Sequence, residues 1–463
     1  MTLLEQYAKR LAISEAKYAE VNPGQKLDRA RKIAIATTLN NTSCYLTESF
    51  ENSKGTQLAN LGDYKRFCLN LITVTLPQLI AYDVVMVYPM PSITGYISYV
   101  KFTAGSNKGQ IKQGHVFNSP FRLGDFTGNY TGDAVVENIQ VVQAGQAQDV
   151  VPAWIPVLEE VFTDGVGAKK TIKLMDTTTA TGEVAVTYPA FADNKFSFTP
   201  QEGHTYKFAY RYDNVVIPQN DLPILNAEMS SITLRAKARR IAVYYSNLAN
   251  YQASKDYGFD MGDQLAKQAA SVLEYEIDTE VTGLLIDNAS AEDSLTFNKA
   301  VPMGISKAEH YEGFAEIIED AKKIVYKKTK KYMPNYMLIS PEISPILTFM
   351  KGWNPASING MVSGPYFAGS LNGLKVYVTP NIADNEFVLG VHYNDMAASA
   401  AVYAPYMPII PTQLLEYADG GTTQGYSTMY DLQILNPELL VKGKVINDPA
   451  AANAQVINTK AAE

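Results

Sequence analysis

The sequence has 463 residues, of which 46% are hydrophobic and 19% are charged. This length excludes a peptide or a disulfide-stapled miniprotein, and the hydrophobic content argues against a largely disordered chain. The charged fraction lies below the roughly 25% of an ordinary soluble domain. Because so few charged side chains are available to cover the surface, we expect much of that surface to contact other chains.

The net charge is −8, which argues against a protein whose main task is to grip nucleic acid, since neutralising phosphates requires an excess of lysine and arginine. No run of residues is long and apolar enough for a membrane span, and the N-terminus lacks the pattern of a secretory signal. The two cysteines, Cys44 and Cys68, have no CxxC partner and no nearby histidines. They are predicted to be reduced, buried thiols in a cytosolic setting.

Residues 1–75 are predicted to form an N-terminal arm with helical pieces. A first helix is indicated by apolar residues at three- to four-residue spacing and ends at Asn22-Pro23-Gly24. A second helix is predicted from Lys26 to about Leu39. Its basic residues are interpreted as a solvated face: Arg29, Arg31 and Lys32.

From residue 76 the pattern changes to that of β-strands. Residues 81–102 contain two apolar, β-prone runs on either side of a Pro-x-Pro break. Residues 128–217 contain short β-prone runs separated by turn signals such as Asp164-Gly165 and Thr181-Gly182. This regular spacing predicts a small antiparallel domain, inserted between segments of a different pattern.

The clearest helix is predicted over 261–287, where nine apolar residues fall on one stripe. Asp260 is a candidate N-cap and Asn288 can end the helix. At 1.5 Å per residue its length would be about 40 Å, which suits a structural spine.

A second helix is predicted to open at Ser306 with the capping box Ser306-Lys307-Ala308-Glu309. Lysines near its end, at 327, 328, 330 and 331, complement the helix dipole. After Pro334 we predict a buried strand, then a short helix capped by Ser340 with Pro341 at its first position. Further strand-like runs follow, and the tail from 448 is predicted to be weakly ordered.

Two charged clusters admit functional readings. A basic cluster consists of Arg235, Lys237, Arg239 and Arg240. Because these residues alternate with apolar positions, we favour an exposed strand face over a nucleic-acid contact. An acidic cluster occupies every second position of the long helix: Glu274, Glu276, Asp278 and Glu280. Side chains at every second position of a helix point in different directions and do not converge on one ion. This favours a solvated or inter-subunit face over a metal site.

The sequence contains no motif or cluster of residues that indicates an enzyme. It has four histidines, none of which sits in an HExxH motif or within a few residues of another histidine or a cysteine: His115, His204, His310 and His392. His392, in an apolar strand, is interpreted as structural. The sequence contains no GxGxxG and no GxxxxGK[ST] motif. We therefore assign no catalytic, cofactor-binding or metal-binding residue.

Three stretches, in their order and spacing, carry a resemblance to a known family. They are QLIAYDVVMVYPMPSITGYISYVKF at 78–102, the segment at 234–285 that ends in the long helix, and NYMLISPEISPILTFM at 335–350 together with the AVYAPYMP run at 401–408. The chain resembles the Hong Kong 97 capsid fold of tailed-phage and herpesvirus shells. It is most similar to major capsid proteins of T-even-like and other large contractile-tailed phages, although their closing strand is usually more basic than GYSTMYDL at 425–432.

The resemblance implies an α+β fold and assigns domains to the chain. These are an N-terminal arm at 1–75, an E-loop with flanking strands at 76–127 and 218–245, an inserted β domain at 128–217, a P-domain at 246–300 with its spine helix at 261–287, an A-domain at 301–413, returning P-domain strands at 414–447, and a flexible tail at 448–463.

The resemblance also implies a function and partners. The chain would assemble with copies of itself into hexamers and pentamers of an icosahedral head, formed in the host cytoplasm around packaged double-stranded DNA that it does not recognise by sequence. Further implied partners are a scaffolding protein, a portal, a vertex protein, decoration proteins and a prohead protease. In relatives that protease cuts after [LI]-x-E, a pattern matched by Ile13-Ser14-Glu15 and Leu46-Thr47-Glu48. The alternatives are an encapsulin-like compartment shell and a phage tail sheath or tube protein.

Overall fold

The computed structural model describes residues 3–21, 26–51, 69–70, 72–74, 76–121, 130–154, 172–178, 195–212, 222–256, 258, 261–356, 364–393, 395–412, 415–418 and 420–449. The chain divides into two compact units. Unit one comprises Met1–Ile97 and Ile232–Glu463, and unit two comprises Ser98–Ser231. Helices and sheets occur together, so the fold is of the mixed α+β type.

Unit one begins with three helices, α1 (Leu3–Gln6), α2 (Ala8–Val21) and α3 (Arg29–Glu51). Helix α3 continues well past the predicted end near Leu39, through the threonine- and asparagine-rich stretch that follows. The hydroxyls of Thr38, Thr42 and Thr47 each donate to a carbonyl four residues earlier. These bonds satisfy polar groups inside the helix that would otherwise compete with it, and Leu46 is buried.

Helix α4 (Ala81–Val84) is a single turn in a segment predicted to be a strand. All four of its residues are buried. The backbone N–H of Ile80, just before it, donates to the carboxylate of Asp278, 3.0 Å away. A partner 198 residues distant therefore stabilises a helical turn that the local β-prone sequence does not favour.

The first sheet of unit one has the order β1-β17-β19-β10, with β18 also paired to β19. Strand β1 runs parallel to β17, and the other neighbours are antiparallel. Its strands are β1 (Met86–Val87), β10 (Lys237–Ser246), β17 (Ala401–Pro411), β18 (Leu415–Glu416) and β19 (Gly421–Ile434). Helix α5 (Asn247–Asp256) follows β10 directly.

Helix α6 (Met261–Asp287) has the bounds predicted for the long helix. Its N-terminal half packs Ala269, Ala270 and Leu273 against Ile409 and Tyr426 of the first sheet. Its C-terminal half belongs to the main core through Ile277, Val281 and Leu285. The predicted role of Asn288 is confirmed, since its side chain donates to the Leu284 carbonyl at 2.8 Å. The proposed cap Asp260 lies outside the described residues.

The second sheet of unit one has seven strands in the order β11-β20-β16-β12-β15-β14-β13. Strand β12, in the middle, is buried at all four positions, as its apolar sequence predicts. The strands are β11 (Ser290–Asn298), β12 (Tyr336–Ile339), β13 (Trp353–Pro355), β14 (Tyr366–Leu371), β15 (Leu374–Val378), β16 (Glu386–Gly390) and β20 (Leu440–Ile446).

Helices α7 (Lys307–Glu312), α8 (Phe314–Thr329) and α9 (Ser344–Leu347) accompany this sheet. The Ser306 cap is confirmed, because its hydroxyl accepts the Glu309 N–H at 3.2 Å. The predicted single helix, however, divides at Gly313. The prediction for Ser340 is wrong: its hydroxyl donates to the Asp384 carbonyl, and α9 begins only at Ser344, without a side-chain cap.

Unit two contains antiparallel sheets of short strands. Strand β8 lies between β4 and β6, and β5 pairs with β7. Strands β2 and β9 run into this unit from unit one and share a sheet with β3. The strands are β2 (Thr94–Ala104), β3 (Val116–Asn118), β4 (Ala134–Ile139), β5 (Gln148–Val150), β6 (Ile172–Asp176), β7 (Phe196–Phe198), β8 (Tyr206–Arg211) and β9 (Leu225–Arg235).

Phe387 provides a test of the core of unit one. It is fully buried on β16 and meets the ring of Phe314 edge to face, with centroids 5.2 Å apart. Phe387→Ala is expected to lower the free energy of unfolding by about 3–5 kcal/mol, through lost burial and a new cavity. Denaturant unfolding of the isolated subunit measures this loss. Tyr326→Ala, at a half-exposed position on α8, is the control and should change it by less than about 0.5 kcal/mol. Equal losses in the two variants would contradict the assignment of the core.

Candidate functional site

A buried cluster of charged and polar side chains joins the N-terminal helices to helix α4. Arg31 of α3 lies 2.7 Å from the carboxylate of Asp83, and both side chains are largely buried. The hydroxyl of Tyr18 on α2 donates to Asp83 at 2.9 Å and lies 2.7 Å from Arg31. Burial and the adjacent Asp83 raise the pKa of Tyr18, so it stays a neutral donor. The predicted solvated face of α3 is therefore wrong for Arg31, because its partner is 52 residues away in sequence.

Further polar contacts hold the same two helices. Ser14 of α2 donates to the Thr73 carbonyl at 2.9 Å. The side-chain amide of Asn41 on α3 donates to two carbonyls, those of Met90 at 2.8 Å and Tyr406 at 3.2 Å. Helix α3 thus bridges the segment that follows β1 and strand β17.

The acidic residues of helix α6 divide into buried and exposed groups. Asp278 is buried, and burial together with the nearby Glu274 raises its pKa well above its usual value. Burial also raises the pKa of Glu274 to about 8. The predicted solvated face is wrong for these two, since a spacing of four places both on the side of α6 that packs inward. Glu276 is exposed as expected.

The basic cluster of β10 has one tightly held member. Arg239 donates from Nε to Glu280 of α6 at 2.8 Å, and a second bond runs from Nη2 to the other carboxylate oxygen. Its guanidinium lies 3.9 Å from the centre of the Tyr430 ring, whose hydroxyl also donates to Glu280 at 2.9 Å. Arg239 therefore links α6 to two strands of the first sheet, while Lys237 and Arg240 are exposed as predicted.

The four histidines occupy separate environments. His392 is partly buried, and desolvation together with the nearby Arg31 lowers its pKa to about 4. His204 contacts Asp176 at 2.6 Å, and His310 contacts the Asn298 carbonyl at 2.7 Å. Within the described parts of the chain, no three His, Cys, Asp or Glu side chains come together as a metal site. The same residues include no helix that is long and apolar enough to cross a membrane.

The prediction for the cysteines is wrong in one respect. Cys44 is exposed on α3, because it faces away from the side of that helix that carries Leu39 and Leu46. Cys68 lies outside the described residues.

Several large apolar side chains are exposed in two places. One, here called the β10–α5 patch, lies where the first sheet passes into α5 and consists of Tyr244, Leu248 and Tyr251, each at least 60% exposed. The other lies on the neighbouring strands β2 and β9 in unit two and consists of Val100, Phe102, Leu225 and Met229. Apolar groups exposed next to one another are typical of surfaces that contact other molecules. The low charge fraction predicts such surfaces but does not indicate which residues form them.

Comparisons with known proteins show what the chain is similar to. A model of the family described as "Major capsid protein Gp23" matches residues 61–458. A major capsid protein of Vibrio phage KVP40 is 22% identical over 418 residues, covering 84% of this chain and 78% of that protein. Among solved structures, the capsid of Myoviridae phage XM1 is 10% identical with a TM-score of 0.37, covering 50% of this chain and 80% of that one. A chain of Mycobacterium phage Che8 is 15% identical with a TM-score of 0.34, covering 66% and 94%.

These findings define the class of protein first: a structural protein of a phage head shell. Because the family model spans most of the chain, the chain belongs to the Gp23 family of major capsid proteins. The location that follows is the capsid of a virion.

The Arg31–Asp83 pair provides a test of how the N-terminal helices are held. Arg31→Ala leaves the carboxylate of Asp83 buried without its cation, and we expect a loss of about 3–5 kcal/mol in the free energy of unfolding. Lys32→Ala breaks the neighbouring, half-exposed pair with Glu15 and should cost about 1 kcal/mol or less. Chemical denaturation of both isolated variants measures the difference, and similar small losses would show that Asp83 is not buried as described.

Glu274 predicts a pH dependence of stability. Its pKa in the folded chain, about 8, lies above the ordinary value of 4.5, so its stabilising contribution is complete below pH 4.5 and is lost as the pH rises through 8. Between these values the free energy of unfolding should fall by up to about 1.4 kcal/mol per pH unit. Denaturation of the Glu274→Gln variant should show a flatter pH profile than the wild type. Glu276→Gln, at an exposed position of the same helix, should keep the wild-type slope. An unchanged slope in Glu274→Gln would refute the prediction.

Proposed function

We propose that this chain is the repeating subunit of an icosahedral phage head with the Hong Kong 97 fold, that it forms hexamers and pentamers, and that it is not an enzyme. The observation that carries the proposal is the family match over residues 61–458. The order of elements along the chain supports the fold: N-terminal helices, two long neighbouring strands with short strands between them in sequence, the long helix α6, an α/β sheet, and strands returning to the first sheet.

The proposed domains follow this order. Residues 1–75 are the N-terminal arm, 76–127 and 218–245 the E-loop with its flanking strands, and 128–217 an inserted β domain. Residues 246–300 and 414–447 form the P-domain, and 301–413 the A-domain. Strands β2 and β9, which are neighbours in one sheet, support the E-loop. The pairing of β19 with β10 supports the returning P-domain strands, and strands β12 to β16 of the seven-stranded sheet support the A-domain.

Assembly would use the exposed apolar surfaces. Val100 and Phe102 are two residues apart on β2 and so face the same side of the strand. Together with the β10–α5 patch they offer apolar area whose burial between copies is favourable by roughly 25 cal/mol per Å². Many such contacts, repeated over a closed shell, hold each copy through multivalency instead of through one tight interface.

The other proposed partners are those expected of a shell that encloses packaged DNA. They are packaged double-stranded DNA without sequence-specific binding, a scaffolding protein, a portal, a vertex protein, decoration proteins and a prohead protease, with assembly in the host cytoplasm. The net charge of −8 supports a wall that does not grip the packaged DNA. The two candidate cleavage sequences lie in helices α2 and α3, where Glu15 is paired with Lys32 and Leu46 is buried.

Negative-stain microscopy of the purified chain tests the proposal against its alternatives. Closed polyhedral particles or hexameric capsomers support it, helical tubes would favour a tail sheath or tube protein, and a stable monomer would refute both. The material that copurifies with closed particles separates the remaining pair: nucleic acid supports a virus head, and a protein cargo would favour an encapsulin-like compartment.

The β10–α5 patch predicts a variant that folds but does not assemble. Leu248→Asp places a charge in the patch at a position 68% exposed, so the isolated subunit should keep its unfolding midpoint. Particle yield, measured by sedimentation and microscopy, should fall at least tenfold, because the charge would be buried between copies. Ala308→Asp, at an exposed position of α7 outside the patch, is the control for the added charge and should assemble normally. Normal particles from Leu248→Asp would exclude the patch from the interface.

A further inference from the structure

A crevice of about 40 Å³ lies between helix α3, helix α4 and strand β1. Helix α3 lines it with Ala30 and Arg31, and α4 lines it with Tyr82. The segment at 85–87 and His392, on the chain between β16 and β17, complete the lining. All of these residues belong to unit one. Three segments that are distant in sequence therefore meet at this crevice.

Two polar atoms of the lining residues have no hydrogen-bond partner among the described residues. They are Nε of Arg31 and the hydroxyl oxygen of Tyr82, and both atoms are buried. The two groups are near each other, since the charge of Arg31 opposes the rise that burial causes in the pKa of Tyr82. That pKa stays above its ordinary value, so the hydroxyl keeps its proton and both groups can donate. Buried donors without a partner are rare in folded proteins.

His392 supplies an acceptor. The Ser399 hydroxyl donates to the Ala401 carbonyl at 3.0 Å, so in its contact with Nδ1 of His392, at 3.4 Å, the ring nitrogen donates. The pKa of His392, about 4, keeps the ring neutral near neutral pH, which leaves Nε2 without a proton. Asn335 holds this residue in place, since its Oδ1 accepts the His392 N–H at 2.8 Å.

Water is the occupant that fits these groups. A bound water requires roughly 10–15 Å³ of space and roughly two to four polar partners, so the crevice has room for about two. A water can accept from two donors and donate to Nε2 at the same time. A small anion fits less well, because Asp83, 2.7 Å away, already neutralises the charge of Arg31. Lys375 also acts on His392, which makes a halide the rival occupant.

We propose that this crevice binds water as a structural ligand, which accepts hydrogen bonds from Arg31 and Tyr82 and donates one to His392. The bound water joins α3 to α4 and to the segment that leads into β17. The N-terminal helices are then held to the rest of unit one in two ways, by the direct ion pair of Arg31 with Asp83 and by a ligand taken from the solvent.

The decisive variant is Tyr82→Phe, which removes the hydroxyl and keeps the ring. Loss of its bond to the water should raise the equilibrium constant for unfolding of the isolated full-length chain about fivefold, the effect of one ordinary hydrogen bond. The matched control is Tyr336→Phe, whose hydroxyl is also buried without a partner among the described residues but does not line the crevice. It should leave the constant unchanged or lower it, because only an unpaired polar group is removed. The same result from Tyr82→Phe would overturn the inference.

Hydrogen exchange shows whether the lost bond holds helix α3. Backbone amides of a helix that opens locally exchange at a rate set by the free energy of that opening. The amides of α3 should therefore exchange about fivefold faster in Tyr82→Phe than in the wild type, and at the wild-type rate in Tyr336→Phe. Unchanged exchange of α3 in Tyr82→Phe would show that the hydroxyl does not help to hold this helix, and the proposed water bridge would be wrong.

A change of salt distinguishes water from a halide. The difference in unfolding midpoint between the wild type and Tyr82→Phe is measured in sodium chloride, sodium bromide and sodium gluconate at equal ionic strength. If water is bound, this difference should be the same in all three salts. A difference that is present in the two halides and absent in gluconate would identify a bound halide and overturn the assignment to water. All of these measurements use the dissociated chain, so their outcome does not depend on whether particles form.

Discussion

The position of helix α4 depends on a buried ion pair and a buried hydrogen bond whose partners lie in other parts of the chain. Asp83, within this single turn, is buried beside Arg31 of α3. The Ile80 N–H at its start is accepted by Asp278 of α6. Removing one partner from a buried ion pair costs several kcal/mol, because the remaining charge has neither water nor a counterion. The N-terminal helices, α4 and the long helix must therefore come together for any one of them to be placed.

The consequence extends into the first sheet. Helix α4 leads directly to β1, which pairs in parallel with β17 at Val402 and Tyr403. The chain after β1 continues along the same strand, since the Met90 N–H donates to the Pro405 carbonyl at 3.0 Å. Asn41 of α3 binds the carbonyl of Met90 as well. Any change that loosens the N-terminal helices would therefore weaken the pairing of β1 at one edge of the sheet. At the opposite edge, Arg239 of β10 and Glu280 hold α6 to the sheet.

The elements that sequence reasoning predicted well are those determined by nearby residues. Helix α6 follows from a stripe of apolar residues at helical spacing, and the start of α7 follows from a cap whose two members are three residues apart. The errors at Arg31, Asp278 and Ser340 share a different cause. Each side chain has a partner 44 to 198 residues away, which a local charge or capping pattern does not reveal.

The exposed apolar side chains contribute far less to the stability of the subunit than the buried core does. Met229 is 77% exposed and Leu248 68%, so neither contributes much to the stability of the isolated subunit. In a monomer, serine or threonine at these positions would leave the stability almost unchanged and would make the protein more soluble. Their apolar character is useful only where another chain covers them, as neighbouring copies would in the proposed shell. Because the contributions of many contacts add up over the shell, each single contact can stay weak enough to break and re-form. A subunit with a thin polar surface and a rigid core is suited to that requirement, since errors made during assembly are reversed at the surfaces without unfolding the chain.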